Sequence, residues 1–182
     1  MIVCGDFVKL IGNKIKRILF VAWPPVGEKE MLSVDISLAL EFSDSDRIFH
    51  IRIDKDDCWT PIVSEANFDK VYQWYEFQPR IKGWMTGRID QPLQNEIFDA
   101  TSETTFENIT IQEILDIECV SLKSEFNPFA VKIKFAKDFI LVSPVSDGTT
   151  TETARFNRLE NLETYREIDE LEYIPIRSVT AR

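Results

Sequence analysis

Val34-Asp35-Ile36-Ser37-Leu38-Ala39-Leu40-Glu41-Phe42 decides how this chain is read. Val34, Ile36, Leu38, Leu40 and Phe42 alternate with Asp35, Ser37, Ala39 and Glu41, the two-residue period of a strand with one buried face. Ser43-Asp44-Ser45-Asp46 follows as a polar turn, and Ile48-Phe49-His50-Ile51-Arg52-Ile53 supplies the return strand. The pair reads as a β-hairpin.

Upstream, Asp6 to Leu10 reads as a short strand closed by the Gly12-Asn13 turn. Lys14 to Trp23 fits a strand or a short helix and ends at Pro24-Pro25. Downstream, Val131, Ile133 and Phe135 alternate with Lys132 and Lys134, Lys137-Asp138 turns the chain, and Phe139 to Val142 returns. Ile18 precedes Leu38 by the same interval that separates Ile111 from Val131. This spacing fits a duplicated strand-turn-strand unit and also fits two unrelated hairpins. Between the hairpins, residues 88–108 show no sustained period and read as a long connection. Over Arg158 to Tyr173, the apolar positions Leu159, Leu162, Ile168 and Leu171 predict one helical stripe, with glutamates opposite and Pro175 as the stop.

The expected fold is therefore α+β: an antiparallel β-sheet built from two hairpin units with a C-terminal amphipathic helix. We expect a single domain over residues 1–182 with two strand-rich halves, about 1–64 and 109–157. Residues 65–108 join them, and the helix covers 158–173.

Composition narrows the function. The net charge of -10 is uneven, -2 over residues 1–90 and -8 over 91–182. Nucleic acids and anionic membrane surfaces select Lys and Arg, so neither is an expected partner. A basic protein would instead be drawn to the surface. The three cysteines, Cys4, Cys58 and Cys119, are widely spaced and odd in number, which argues against a disulfide framework and for a reducing cytoplasm.

Catalytic signatures are few. The single histidine, His50, sits on a strand face with Ile48 and Arg52 and is expected to face solvent. The usual Cys/His zinc spacings, a nucleophile elbow and a glycine-rich phosphate loop are all missing from the sequence. Asp54-x-Asp56-Asp57 begins like a calcium loop but has neither the glycine at its sixth position nor the closing glutamate. No cofactor or metal is expected, while carboxylate chemistry stays open because 31 acids allow many pairings.

Two features point to binding. Trp59, Tyr72, Trp74, Tyr75 and Trp84 form an aromatic group of the kind that anchors interfaces. Read as a strand, residues 71–77 would put Tyr72 and Trp74 on one face and Tyr75 on the other. Acids recur at turns, namely Asp44, Asp46, Asp54, Asp56 and Asp57, and an acidic rim around aromatic anchors suits a basic protein partner.

The expectation is a non-enzymatic protein-binding module, in its most specific form an immunity-type inhibitor of a basic toxin. An alternative is a small-ligand binder or carboxylate-dependent enzyme with an aromatic pocket, its anion anchored by Arg80, Lys82 or Arg88. A further alternative is a structural or assembly subunit.

Overall fold

The computed structural model describes residues 4–24, 34–54, 59–90, 94–125, 127–145, 148–158 and 160–176. It is mostly β-structure in two sheets. The first contains β1 (Ile15–Ala22), β2 (Ile36–Phe42), β3 (Ile48–Asp54), β4 (Thr60–Ala66), β5 (Val71–Gln73) and β6 (Glu96–Asp99), in the order β4-β3-β2-β1-β6-β5. The second contains β7 (Asp116–Leu122), β8 (Ala130–Lys134), β9 (Phe139–Val145), β10 (Gly148–Thr153) and β11 (Leu171–Pro175), in the order β10-β9-β8-β7-β11. Every pairing is antiparallel except β5 with β6.

The two sheets repeat one plan. Four consecutive strands form a meander, and a later strand pairs antiparallel with the first of them, β6 with β1 and β11 with β7. The residue spacing noted above does not mark the match, because Ile18 lies in β1 whereas Ile111 precedes β7 and is 73% exposed.

The sheets face each other across one core. Ile36, Leu38, Leu40 and Phe42 of β2 point into it with Ile18 and Phe20 of β1 and Ile133, Ile140 and Val142 of the second sheet. The threonine run of β10 closes the gap by hydrogen bonding as well as by packing. Thr151 Oγ1 donates to the Ile36 carbonyl at 2.8 Å, and the Ile53 amide donates to Thr149 Oγ1 at 3.1 Å. These bonds satisfy polar atoms that would otherwise be orphaned in the interior.

β2 was expected to be half-buried, yet all seven of its residues are buried. The outward side of the first sheet is covered too. Its edge strands β4 and β5 are joined by only four residues, 67–70. Five strand spacings would span roughly 24 Å, and five chain steps reach at most about 18 Å, so the sheet must curl towards that side. Phe68 in this link packs over Leu19, Val21, Ala39 and Ile97. Beside them Arg17 holds the buried Glu41 at 3.2 Å and Asp99 at 3.0 Å, so the charges on this face are paired.

Four expectations are corrected. Gly5–Leu10 is a 3-10 helix and not a strand, with Phe7 and Leu10 buried beneath it. The connection 88–108 contains β6, whose Phe98 pairs opposite Phe20 in the core. The C-terminal helix is limited to α2 (Asn161–Arg166), and Leu171 to Pro175 form β11 because their backbone pairs with β7. Leu162 and Tyr165 still cover the outer side of the second sheet, against Leu122, Phe129 and Leu141. Finally, the far-spaced Cys4 and Cys119 form a disulfide that ties the N-terminal segment to β7. No helix among the described residues is long and apolar enough to cross a membrane.

Candidate functional site

The aromatic group divides once the chain folds. Val71-Tyr72-Gln73 is β5, but Trp74 to Glu76 turn as a 3-10 helix into α1 (Phe77–Met85). The strand reading of 71–77 therefore fails after three residues. Trp74 stacks on Phe77 at 4.6 Å and meets Phe20, Phe106 and Phe156, so it closes the core. Trp84, on the α1 stripe with Phe77 and Ile81, is only 2% exposed. Tyr72 stacks on Phe98, with the Arg80 guanidinium 4.3 Å and Lys70 Nζ 4.4 Å from its ring centre. Only Tyr75 and Trp59 keep broad solvent contact, at 76% and 39% exposure.

The anion anchor is likewise dismantled. Both Arg80 nitrogens on one edge bind the Glu96 carboxylate, which is 8% exposed, so this guanidinium is already neutralised. Lys82, in α1, and Arg88, beyond its end, are both exposed. Nor do the turn acids form one patch. Asp44 and Asp46 sit in the β2–β3 turn, and Asp46 lies 3.7 Å from Lys16. Asp54 ends β3, roughly 20 Å away along a seven-residue strand. Asp56 and Asp57 lie outside the described residues.

His50 is not a solvent-facing strand residue. Nε2 is 2.7 Å from Ser37 Oγ, and Phe68 meets the ring edge-on. Burial, aided by the neighbouring Arg52 charge, pushes its pKa down to about 4. Ser37 is itself buried and also donates to the Val21 carbonyl at 3.3 Å, so the pair reads as a satisfied polar link within the sheet.

What the fold does bring together is a groove around Trp59. It is an open space of about 560 Å³ where the start of β4, the β7–β8 loop, the end of β9 and the α2 end of the chain converge. Leu122, Phe129 and Pro144 line it with Tyr165 and Ile168, and Glu125 and Asn127 stand at its polar edge. Among the described residues no Lys or Arg lines it. Ile168 is 69% exposed, an apolar side chain standing beside half-exposed Trp59.

Its walls are fixed from several directions. Tyr165 stacks on Phe129 at 4.1 Å, and its burial pushes the phenol pKa up. Asn161 Nδ2 donates to Ser143 Oγ at 2.9 Å and to the Pro144 carbonyl at 2.6 Å, holding the start of α2 on β9. The Ser124 amide donates to Asp169 at 2.7 Å, and Lys123 pairs with Glu170 at 2.7 Å, holding the other end to the β7–β8 loop. Trp59 itself has φ +53°, the left-handed region that costs an L-residue about 1–2 kcal/mol.

A second groove of about 410 Å³ shares α2. Lys132, Arg158 and Arg166 line it together with Glu152, Glu160 and Glu163, so its charges are mixed. Lys132 Nζ lies 4.6 Å over Phe139 and 5.7 Å from the Tyr173 ring centre.

Among the described residues, Trp59 is the one expected site residue that lines either groove. Leu122, Phe129, Pro144, Tyr165 and Ile168 were not foreseen, since they come from three separate stretches. Among the described residues no three His, Cys, Asp or Glu side chains converge as a metal site. No known protein family, curated protein or solved structure matches the chain.

Proposed function

We propose that this chain is a non-enzymatic docking protein that receives a basic protein partner on the Trp59 groove. The observation that carries the reading is Trp59 itself. A tryptophan held half-exposed in left-handed backbone, above an apolar floor and beside a carboxylate, keeps both backbone strain and exposed apolar area. Folding alone favours neither. Interface cores are built from such aromatic anchors, and rims from polar groups. The net charge of -10 and a lining without Lys or Arg among the described residues favour a partner of opposite sign.

In its narrowest form the proposal is an immunity-type inhibitor that neutralises a basic toxin. Acidity, small size and the lack of a familiar catalytic motif support that form. The cytoplasm proposed as its compartment no longer draws support from the cysteines, because structural disulfides persist in oxidising compartments. A reducing compartment would hold Cys4 and Cys119 as a buried thiol pair, and neither residue lines the groove.

The test is capture of a partner from the native host, its identification, and repetition with purified components. A basic protein bound by the wild type and lost on Trp59→Ala or Ile168→Glu is the expected result. Recovery of no protein, together with a tightly held metabolite, would overturn the proposal. That second outcome has its own structural candidate in the mixed-charge groove, which Arg158 lines and where Lys132 stands over the Phe139 ring.

A further inference from the structure

The chain shows on its first sheet how it holds an arginine. The Arg80 guanidinium lies 4.3 Å over the Tyr72 ring while the Glu96 carboxylate takes its nitrogens. A ring face and a carboxylate together match both properties of the group, its flat weakly hydrated surface and its fork of donors. The Trp59 groove repeats these parts with no cation among its described lining residues. Trp59 and the Tyr165–Phe129 stack supply ring surface, and Glu125 supplies the carboxylate.

The nearby cations are engaged elsewhere. Lys123 is paired with Glu170, and Arg166 with Glu163. The Glu125 carboxylate is exposed and meets no cation among the described residues. Its own backbone is fixed, since the Glu125 amide donates to the Leu122 carbonyl at 3.0 Å. The backbone that carries the carboxylate is thus held at the rim.

Resting on the docking reading above, we infer that the groove is a receptor for an arginine side chain of the protein partner, with its guanidinium at Glu125 and its stem along the aromatic wall. Lysine is a poorer occupant, because its compact ammonium is strongly hydrated and cannot lie flat on a ring or bind a carboxylate through two parallel bonds. The space of about 560 Å³ exceeds one side chain, and Leu122, Pro144 and Ile168 leave apolar room beside it. The occupant is therefore a short segment in which an apolar residue flanks the arginine. Association is expected to weaken with salt, as it does for an exposed charge pair.

The probes are three pentapeptides, Gly-Leu-Arg-Leu-Gly and its lysine and citrulline counterparts, citrulline being the neutral isostere of arginine. Each is titrated into the full chain while the Trp59 indole resonance, assigned with Trp59→Phe, is followed by NMR. The arginine peptide should shift that resonance saturably. Its affinity should exceed that of the citrulline peptide by about tenfold, and fall by a similar factor in Glu125→Gln but much less in Glu125→Asp. Because Glu125 is exposed, its variants should keep the wild-type melting temperature, which guards against misfolding. No saturable shift, equal affinities for arginine and citrulline, or indifference to Glu125→Gln would each overturn the inference. A host partner that needs Trp59 but not Glu125 would overturn the arginine anchor and leave the docking reading standing. A partner that needs neither would overturn the docking reading.

Discussion

Ser37 Oγ and His50 Nε2 lie 2.7 Å apart on neighbouring strands of the first sheet, beneath the Phe68 link. Burial holds this ring neutral, with a pKa of about 4 against the ordinary 6.5, and Arg52 adds to the effect. The unfolded chain therefore binds a proton that the folded chain refuses between those two values. Stability attributable to His50 is complete above pH 6.5 and declines as the pH falls towards 4. The full loss is about 3 kcal/mol. Chemical denaturation at pH 7.5, 5.5 and 4.5 should show a steeper acid decline for the wild type than for His50→Gln. Parallel profiles would mean that His50 is not kept neutral by the fold.

Arg80 and Glu96 form the most enclosed ion pair of the first sheet, with side-chain exposures of 22% and 8%. Removing one member of such a pair leaves the other charge desolvated, which costs about 3 kcal/mol. Arg80→Ala should cost that much in urea denaturation, because the carboxylate it leaves behind is only 8% exposed. Glu96→Ala should cost less, because the guanidinium it leaves is 22% exposed and can gain water. The double variant should be more stable than the sum of the two losses by about 1–2 kcal/mol, the signature of a direct pair. Strict additivity would show that each residue acts through its own packing, Arg80 on Tyr72 and Glu96 in β6.

Cys4 and Cys119 close a loop of 115 residues, with Cα atoms 6.9 Å apart. A cross-link of that span removes much of the freedom of the unfolded chain, by about 5 kcal/mol in the entropic account. Thiol titration of the denatured, unreduced protein should find one free thiol, that of Cys58, and three after reduction. The Cys4→Ser and Cys119→Ser variants should each lose about 3–5 kcal/mol under oxidising conditions, and the double variant no more than either alone. Three free thiols before reduction would show that the pair is not bonded in the preparation.

The strand skeleton was legible wherever a period of two ran for several residues. Val34 to Phe42 and Ile48 to Ile53 are paired as expected, Leu38 opposite Ile51. What the period does not encode is what lies above the second face. Ser37, Ala39 and Glu41 look solvent-facing in sequence, but a four-residue link and an arginine from another strand cover them. The C-terminal stretch misled for a different reason. Leu162, Tyr165, Ile168 and Leu171 recur at helical spacing, yet Asp169 and Glu170 bind the β7–β8 loop and the chain beyond them gains a full ladder with β7. Tertiary pairing there outweighs local periodicity. Trp59, Trp74 and Trp84 were not distinguishable by residue type, so the sequence left open which of them stays exposed. The fate of Trp74 and Trp84 depends on β5 ending at Gln73 and α1 starting at Phe77, which Pro79 in the first turn and the apolar spacing Phe77, Ile81, Trp84 signal only weakly. The groove floor had no local signal at all, since Leu122, Pro144 and Ile168 meet only in three dimensions.

Trp59 offers the sharpest separation of stability from binding. Its φ of +53° penalises any side chain with a Cβ, so glycine is the residue the backbone prefers at this position. Trp59→Ala keeps the strain and loses the packing of the indole, and should destabilise the chain by about 1–2 kcal/mol. Trp59→Gly loses the same packing but relieves the strain, which more than offsets the greater freedom of an unfolded glycine. Glycine should therefore be the more stable of the two by about 1 kcal/mol, an inversion of the usual order outside left-handed positions. If Trp59 is kept for a partner, both variants should bind that partner equally poorly although their stabilities differ. Equal stabilities would mean that the backbone at residue 59 relaxes out of the left-handed region once the indole is gone. Retained binding in both would remove Trp59 from the site.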